Sequence, residues 1–171
     1  MFDIKYLYKI ILIGLVSILL ISCSEEKTHS TAAEGVFHLD VYKARKCSCC
    51  SKWINIVREQ GFESQSHNQS QYDLSRTKDK HRVPKNMRSC HTSVTSDGYV
   101  FEGHIPAKYI QKFLKEKPEG AFGLAVPAMP TGSPGMEFGE MFMAYKIYLL
   151  KDDGTFDVYA NIEESKEQYD E

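Results

Sequence analysis

The sequence predicts an α/β domain ordered β-α-β-α-β-β-α, with a β-hairpin appended at its C-terminal end. Three observations carry that prediction. An alternating run at residues 36–42 leads into Cys50, Trp53, Ile54 and Val57, the i, i+3, i+4, i+7 stripe of an amphipathic helix. Two Asp-Gly turns, Asp97-Gly98 and Asp153-Gly154, each separate β-prone runs, which is a strong hairpin signature. Pro106 precedes a second apolar stripe, Ile110, Phe113 and Leu114, and proline suits a first helical turn.

The first strand puts Phe37, Leu39 and Val41 on one face, the pattern of a half-buried strand. Gly61 stops the helix that follows. Residues 62–66 read as a short second strand. Residues 73–81 read as a polar, exposed helix started by an Asp73 cap, with Pro84 beyond it. Residues 89–95 and 99–102 form the first hairpin, and Pro118 ends the helix after it. Residues 120–139 carry Pro127, Pro130 and Pro134 among several glycines, and read as one irregular loop. A loop that long in a small domain is usually functional or pinned by its own side chains. Residues 141–150 and 155–160 form the second hairpin. The acidic stretch 161–171 reads as a frayed tail or weak helix.

The N-terminal segment has a different purpose. Lys5 and Lys9 precede an almost purely aliphatic run at residues 10–21. That run is too short for an ordinary membrane span, which needs about 20 residues, and suits the core of an export signal. Leu20-Ile21-Ser22-Cys23 resembles the lipobox of bacterial lipoproteins, which implies cleavage before Cys23 and acylation of that cysteine. The expected organisation is a signal at 1–22, a lipid-attached flexible tether at 23–35, a domain at 36–160 and an acidic tail at 161–171. Ser24 points to the outer membrane rather than the inner one, so the domain would be lipid-anchored in the cell envelope, facing the periplasm.

The chain has 171 residues and a formal charge of −2, which gives no broad attraction for nucleic acid. Its five cysteines are an odd number. With Cys23 assigned to lipid, four remain: Cys47, Cys49, Cys50 and Cys90. The first three sit where the first strand becomes a helix, and a helix N-terminus favours thiolate over thiol. Three readings compete. Structural disulfides are permitted in the envelope, but three cysteines so close together leave only one distant partner. A dithiol–disulfide oxidoreductase would use Cys47 and Cys50 and leave Cys49 and Cys90 without a role. A soft-metal site uses all four, and thiolates select Cu(I), Zn(II) or iron–sulfur clusters.

Charge favours several ions over one. One Cu(I) on four thiolates leaves three negative charges to bury and one Zn(II) leaves two, whereas four Cu(I) on four thiolates are neutral. A multinuclear Cu(I)–thiolate cluster is therefore the preferred reading. His91, beside Cys90, and His104 are candidate further ligands. Met129 and Met136 in the Pro/Gly loop are possible secondary thioether ligands, although methionine more often packs. His29, His38, His67 and His81 read as ordinary polar residues.

The order of elements resembles the thioredoxin-like fold. The motifs go further. Cys47-Ser48-Cys49-Cys50 with Trp53, Ser89-Cys90-His91-Thr92, Gly103-His104-Ile105-Pro106, the stretch from Gly123 to Pro127, Met129-Pro130, and Gly132-Ser133-Pro134-Gly135-Met136-Glu137 together resemble the CopG-like copper-resistance family. The resemblance covers residues 36–160. It implies a periplasmic thioredoxin-like protein of copper tolerance, with Cys47, Cys49, Cys50 and Cys90 as copper ligands and a role in copper redox handling. A further, non-catalytic reading makes the Pro/Gly loop with its methionines the docking surface of a copper efflux or carrier protein. The family often has glycine where Ser48 and Ala128 stand.

Overall fold

The computed structural model describes residues 36–169. The expected export signal, Cys23 and the tether lie outside the described residues. Among these residues, seven strands and three α-helices follow in the order β1 (His38–Ala44), α1 (Ser48–Glu59), β2 (Glu63–Gln69), α2 (Gln71–Lys80), β3 (His91–Val94), β4 (Val100–Glu102), α3 (Ala107–Glu116), β5 (Ala121–Ala125), β6 (Tyr145–Lys151) and β7 (Phe156–Ile162). All seven strands join one sheet, ordered β2-β1-β3-β4-β5-β6-β7. The part from β1 to α3 is the expected β-α-β-α-β-β-α unit and is compatible with a thioredoxin-like fold. The β6–β7 hairpin is the expected appendage.

Local chemistry explains the pairing. β1 and β2 are parallel, so the chain must cross over between them, and α1 is that crossover. β3 returns antiparallel beside β1, and β4 antiparallel beside β3 through the Asp97-Gly98 turn. β5 then runs parallel to β4, with α3 as its crossover. Leu39 and Val41 of β1 are fully buried against Trp53, Ile54 and Val57, the stripe read from the sequence. α3 adds Ile110, Phe113 and Leu114 to the same core. Neighbouring strand residues divide between two clusters, Phe101 with this core and Val100 with Val83, Met87, Phe122 and Leu150. Since successive side chains point to opposite faces, the sheet is covered on both sides.

Several expectations shift. Residues 120–139 are not one loop, because residues 121–125 form β5 and are buried throughout. A strand covered on both faces shows no alternation, so it carries no period-two signal. Gly123 read as loop punctuation, yet it serves close approach. A Cβ there would lie 2.7 Å from the carbonyl carbon of Val100 and nearer still to its oxygen. α2 begins at Gln71, and its cap is Ser70, whose Oγ accepts from the Asp73 amide at 3.1 Å; Asp73 is not the cap. β2 extends to Gln69, and β6 starts only at Tyr145. The stretch after β7 is a 3-10 turn docked by buried Gln168, which accepts from Tyr145 Oη at 2.7 Å and donates to the Gly132 carbonyl at 3.0 Å. No helix among the described residues is long and apolar enough to cross a membrane.

Gly123→Ala tests the β4–β5 approach. The added methyl meets backbone that cannot move without parting the two strands, so the expected loss is about 3 kcal/mol or more. Urea unfolding would measure it, and an unchanged midpoint would refute the close approach.

Candidate metal centre

Cys47 ends the turn after β1, its amide donating to the Ala44 carbonyl at 3.1 Å. It is also the N-cap of α1, where its Sγ accepts from the Cys50 amide at 3.3 Å. Cys49 and Cys50 occupy the first turn of that helix, beside amides with no helical partner. Cys90 arrives from elsewhere in the chain. It immediately precedes β3, and because β3 pairs with β1, its sulfur reaches the N-terminus of α1. The four sulfurs lie within 4.8 Å of one another. Cys47 and Cys50 are joined in a disulfide, Cys49 and Cys90 are free, and Cys49 Sγ is 3.4 Å from Cys47 Sγ.

A second group shares Cys90. Its Sγ lies 3.0 Å from His104 Nε2 and 3.3 Å from His91 Nδ1. His104 Nδ1 donates to the Pro134 carbonyl at 2.7 Å, a contact that assigns the proton to Nδ1 and leaves the Nε2 lone pair aimed at sulfur. Metal-binding histidines are typically held in this way, with the second nitrogen donating to a carbonyl or carboxylate. The His91 ring lies 4.4 Å from the Trp53 ring and 5.0 Å, edge on, from that of His104. His91 Nε2 is buried with no hydrogen-bond partner among the described residues.

Burial sets the protonation. It lowers the pKa of His91 well below the ordinary range, helped by His104, Lys78 and Lys43 nearby. It lowers that of His104 too, against the opposing pull of the Pro134 bond and Glu137. Both imidazoles are therefore neutral at pH 7 and able to donate lone pairs. Burial first, and Cys49 second, push the Cys90 thiol up to about 12.

The Pro/Gly loop is a wall of this site. A Cβ on Gly135 would lie 2.7 Å from the Trp53 amide nitrogen and 2.8 Å from the Cys49 carbonyl oxygen. The loop thus rests directly on the first turns of α1, and Pro134 supplies the His104 contact. Ser89 Oγ donates to the carbonyl of Ala128, which holds a positive φ of 59°. Glycine is the usual residue for that conformation. Met129 is half-exposed and Met136 partly buried on this same loop. On the other side a cleft of about 440 Å³ opens, with Cys47, Cys90, Lys46, Lys78 and Arg88 in its lining.

A family model described as "Protein of unknown function, DUF411" matches residues 87–136, which include Cys90, both histidines and the loop. No curated protein matches. Two solved structures, titled "Copper resistance protein copG- Form 1" and "Form 2", each align with 38% identity and a TM-score of 0.69. Each alignment covers 74% of this chain and 98% of the solved one. The chain belongs to the CopG copper-resistance family. Essentially the whole of each solved CopG chain is thus represented here, and the Cys47–Cys50 segment of this CopG-family protein lies outside the DUF411 match.

The CopG fold therefore brings together all six expected cysteine and histidine candidates. It also relies on a buried pair, Lys78 and Glu102, that sequence reasoning gave no role, and on the Thr92 hydroxyl and Ser89 amide that bond to it. Lys78 is buried and pairs with fully buried Glu102, while donating to Thr92 Oγ1 at 2.9 Å. Thr92 Oγ1 donates to Glu102 Oε2 at 2.6 Å, and the Ser89 amide to Oε1 at 2.6 Å. The Ser89 bond fixes the backbone immediately before Cys90. Lys78 and Glu102 are 24 positions apart, and only the assembled sheet and α2 join them.

Glu102→Gln would leave Lys78 buried without its counter-charge, at an expected cost of about 3–5 kcal/mol. Adding Lys78→Met should recover part of that loss, since replacing both partners of a buried pair is often near neutral. Denaturant unfolding of the three variants checks this, and additive losses would contradict the pairing.

Proposed function

We propose that this chain is an envelope copper-binding protein that holds Cu(I) in copper tolerance. Cys47, Cys49, Cys50 and Cys90 carry a multinuclear thiolate cluster once Cys47 and Cys50 are reduced. The observation that carries this reading is the convergence of four sulfurs and two neutral imidazoles on one small volume. The donors fit the cargo. Thiolate and imidazole both suit copper, and the buried His91 Nε2 has no partner among the described residues, which leaves that ring nitrogen for a ligand. The copper-resistance titles of the two CopG structures support the same metal.

His91 and His104 complete the site as ligands or orienting groups. Met129 and Met136 supply thioethers from the adjoining loop. That loop continues to exposed Phe138, Met141 and Met143, which form a landing surface for a copper efflux or carrier protein. Cleavage and acylation at Cys23 would tether the domain to the membrane, facing the periplasm.

A second reading has its own support. Cys47 lines the cleft while its disulfide partner Cys50 is fully buried, the asymmetry a thiol–disulfide oxidoreductase needs for selective attack at Cys47. Under that reading, disulfide exchange survives loss of Cys49 and Cys90. Under the copper reading, those two residues are indispensable.

Metal content of the reduced chain, prepared without oxygen, separates the two. More than one Cu(I) per chain is expected, falling in Cys90→Ser and in Cys49→Ser. A single Zn(II) with no retained copper would overturn the cluster.

Binding should also depend on pH. The metal-free Cys90 thiol is protonated at neutral pH, so Cu(I) must displace that proton. Affinity then rises with pH, by about tenfold per unit for each proton displaced, up to the pKa of the thiol. Competition against a Cu(I) chelator at about pH 6 and about pH 8 measures the slope, and a flat profile would exclude Cys90 as a ligand.

A further inference from the structure

We infer a second metal site on the edge of the sheet, formed by His38, Asp40 and His67 with Glu63 beside them, for a divalent ion of borderline softness and above all Cu(II). The β1–β2 register builds it. His38 pairs with Glu63, Asp40 with Gln65 and Tyr42 with His67. Since alternate residues share a face, all six project from the same side of this edge.

Asp40 Oδ1 is the common point. It lies 2.7 Å from His67 Nε2 and 3.9 Å from His38 Nε2. His38 Nδ1 lies 3.9 Å from Glu63 Oε2. An ordinary surface ion pair needs one imidazole and one carboxylate. Here two imidazoles from adjacent strands converge on the same carboxylate oxygen, with a second carboxylate behind.

Side-chain rotation can bring the spacing to that of a metal. With bonds of about 2.0–2.1 Å, ligand atoms around a tetrahedral ion stand about 3.3 Å apart. The 2.7 Å contact must open slightly, the 3.9 Å contact must close, and one imidazole must swing toward the other, since the three ligand atoms do not yet converge as those around Cys90 do. Side-chain exposures of 43% for His38, 38% for Asp40 and 34% for His67 leave room for these movements. His67 is already oriented, its ring stacked on Tyr42 at 4.8 Å.

The donor chemistry differs from that of the cysteine centre. Imidazole nitrogen and carboxylate oxygen favour divalent copper, zinc and nickel, and copper binds most tightly in that series. Four of the five described histidines thus divide by chemistry. His91 and His104 stand against sulfur, while His38 and His67 stand against carboxylates.

The test is titration of the full chain carrying Cys49→Ser and Cys90→Ser, with Cys47–Cys50 oxidised so that thiols cannot reduce the metal. Circular dichroism verifies folding. Copper(II) sulfate is the probe, followed by electron paramagnetic resonance. One equivalent with nitrogen hyperfine structure and a Kd of about micromolar or tighter is expected. His38→Gln and His67→Gln should each weaken it about tenfold or more. His29→Gln and His81→Gln should leave it unchanged. If the His38→Gln/His67→Gln double variant keeps the parent's affinity and spectrum, the site is refuted. Should the serine variant not fold, Zn(II), which thiols cannot reduce, is added to the native oxidised chain beyond one equivalent and followed by nuclear magnetic resonance. Shifts of the amides at residues 38–42 and 63–67 support the site, and their absence overturns it.

Discussion

Glu102 is fully buried, and donors from three separate segments close on its carboxylate: the Lys78 ammonium from α2, the Thr92 hydroxyl from β3 and the Ser89 amide from the strand's approach. A carboxylate removed from water is stable only when its oxygens are so occupied. The arrangement has a geometric result. The backbone at residue 89 cannot slide relative to β4, so Cys90 enters β3 at one height. β3 is also hydrogen-bonded to β1, from whose end Cys47 hangs. One buried ion network therefore sets the distance between cysteines that stand more than 40 residues apart in the chain.

The other side of the centre is shaped by apolar packing and by backbone without side chains. Trp53 is fully buried, donates to the Ile105 carbonyl at 2.8 Å and backs His91 with its ring. Gly135 lets the Pro/Gly loop descend onto the helix that bears Trp53, bringing the Pro134 carbonyl to His104. The same burial that excludes water from the histidines keeps them neutral. Their availability as lone-pair donors thus follows from packing, without any nearby carboxylate bonded to their rings.

The parts legible in the sequence were those with a local period or a local turn. Leu39 and Val41 alternate, Trp53, Ile54 and Val57 repeat at helical spacing, and each Asp-Gly lies between β-prone runs. Cys47, Cys49 and Cys50 announce themselves by proximity, and His91 by adjacency to Cys90. β5 was illegible because Ala121, Gly123 and Ala125 are small and both faces are covered, so glycine looked like a break when it marked contact. Lys78 and Glu102 carry no local sign of being buried, since Lys78 lies in a polar helix and Glu102 is the charged end of a short β-prone run. His38 and His67 were passed over for a related reason: parallel pairing across a helix joins them, and no short motif records it.

The Cys47–Cys50 bond bears on how much metal the protein can hold. A chain with that bond closed offers two thiols, while a chain with it open offers four. Opening it takes two electrons and two protons from a reductant in the surrounding compartment. The number of soft ligands is therefore an electron count as much as a structural one. The metal capacity of a population of these molecules would follow the thiol–disulfide poise of its surroundings, even at a fixed number of protein chains.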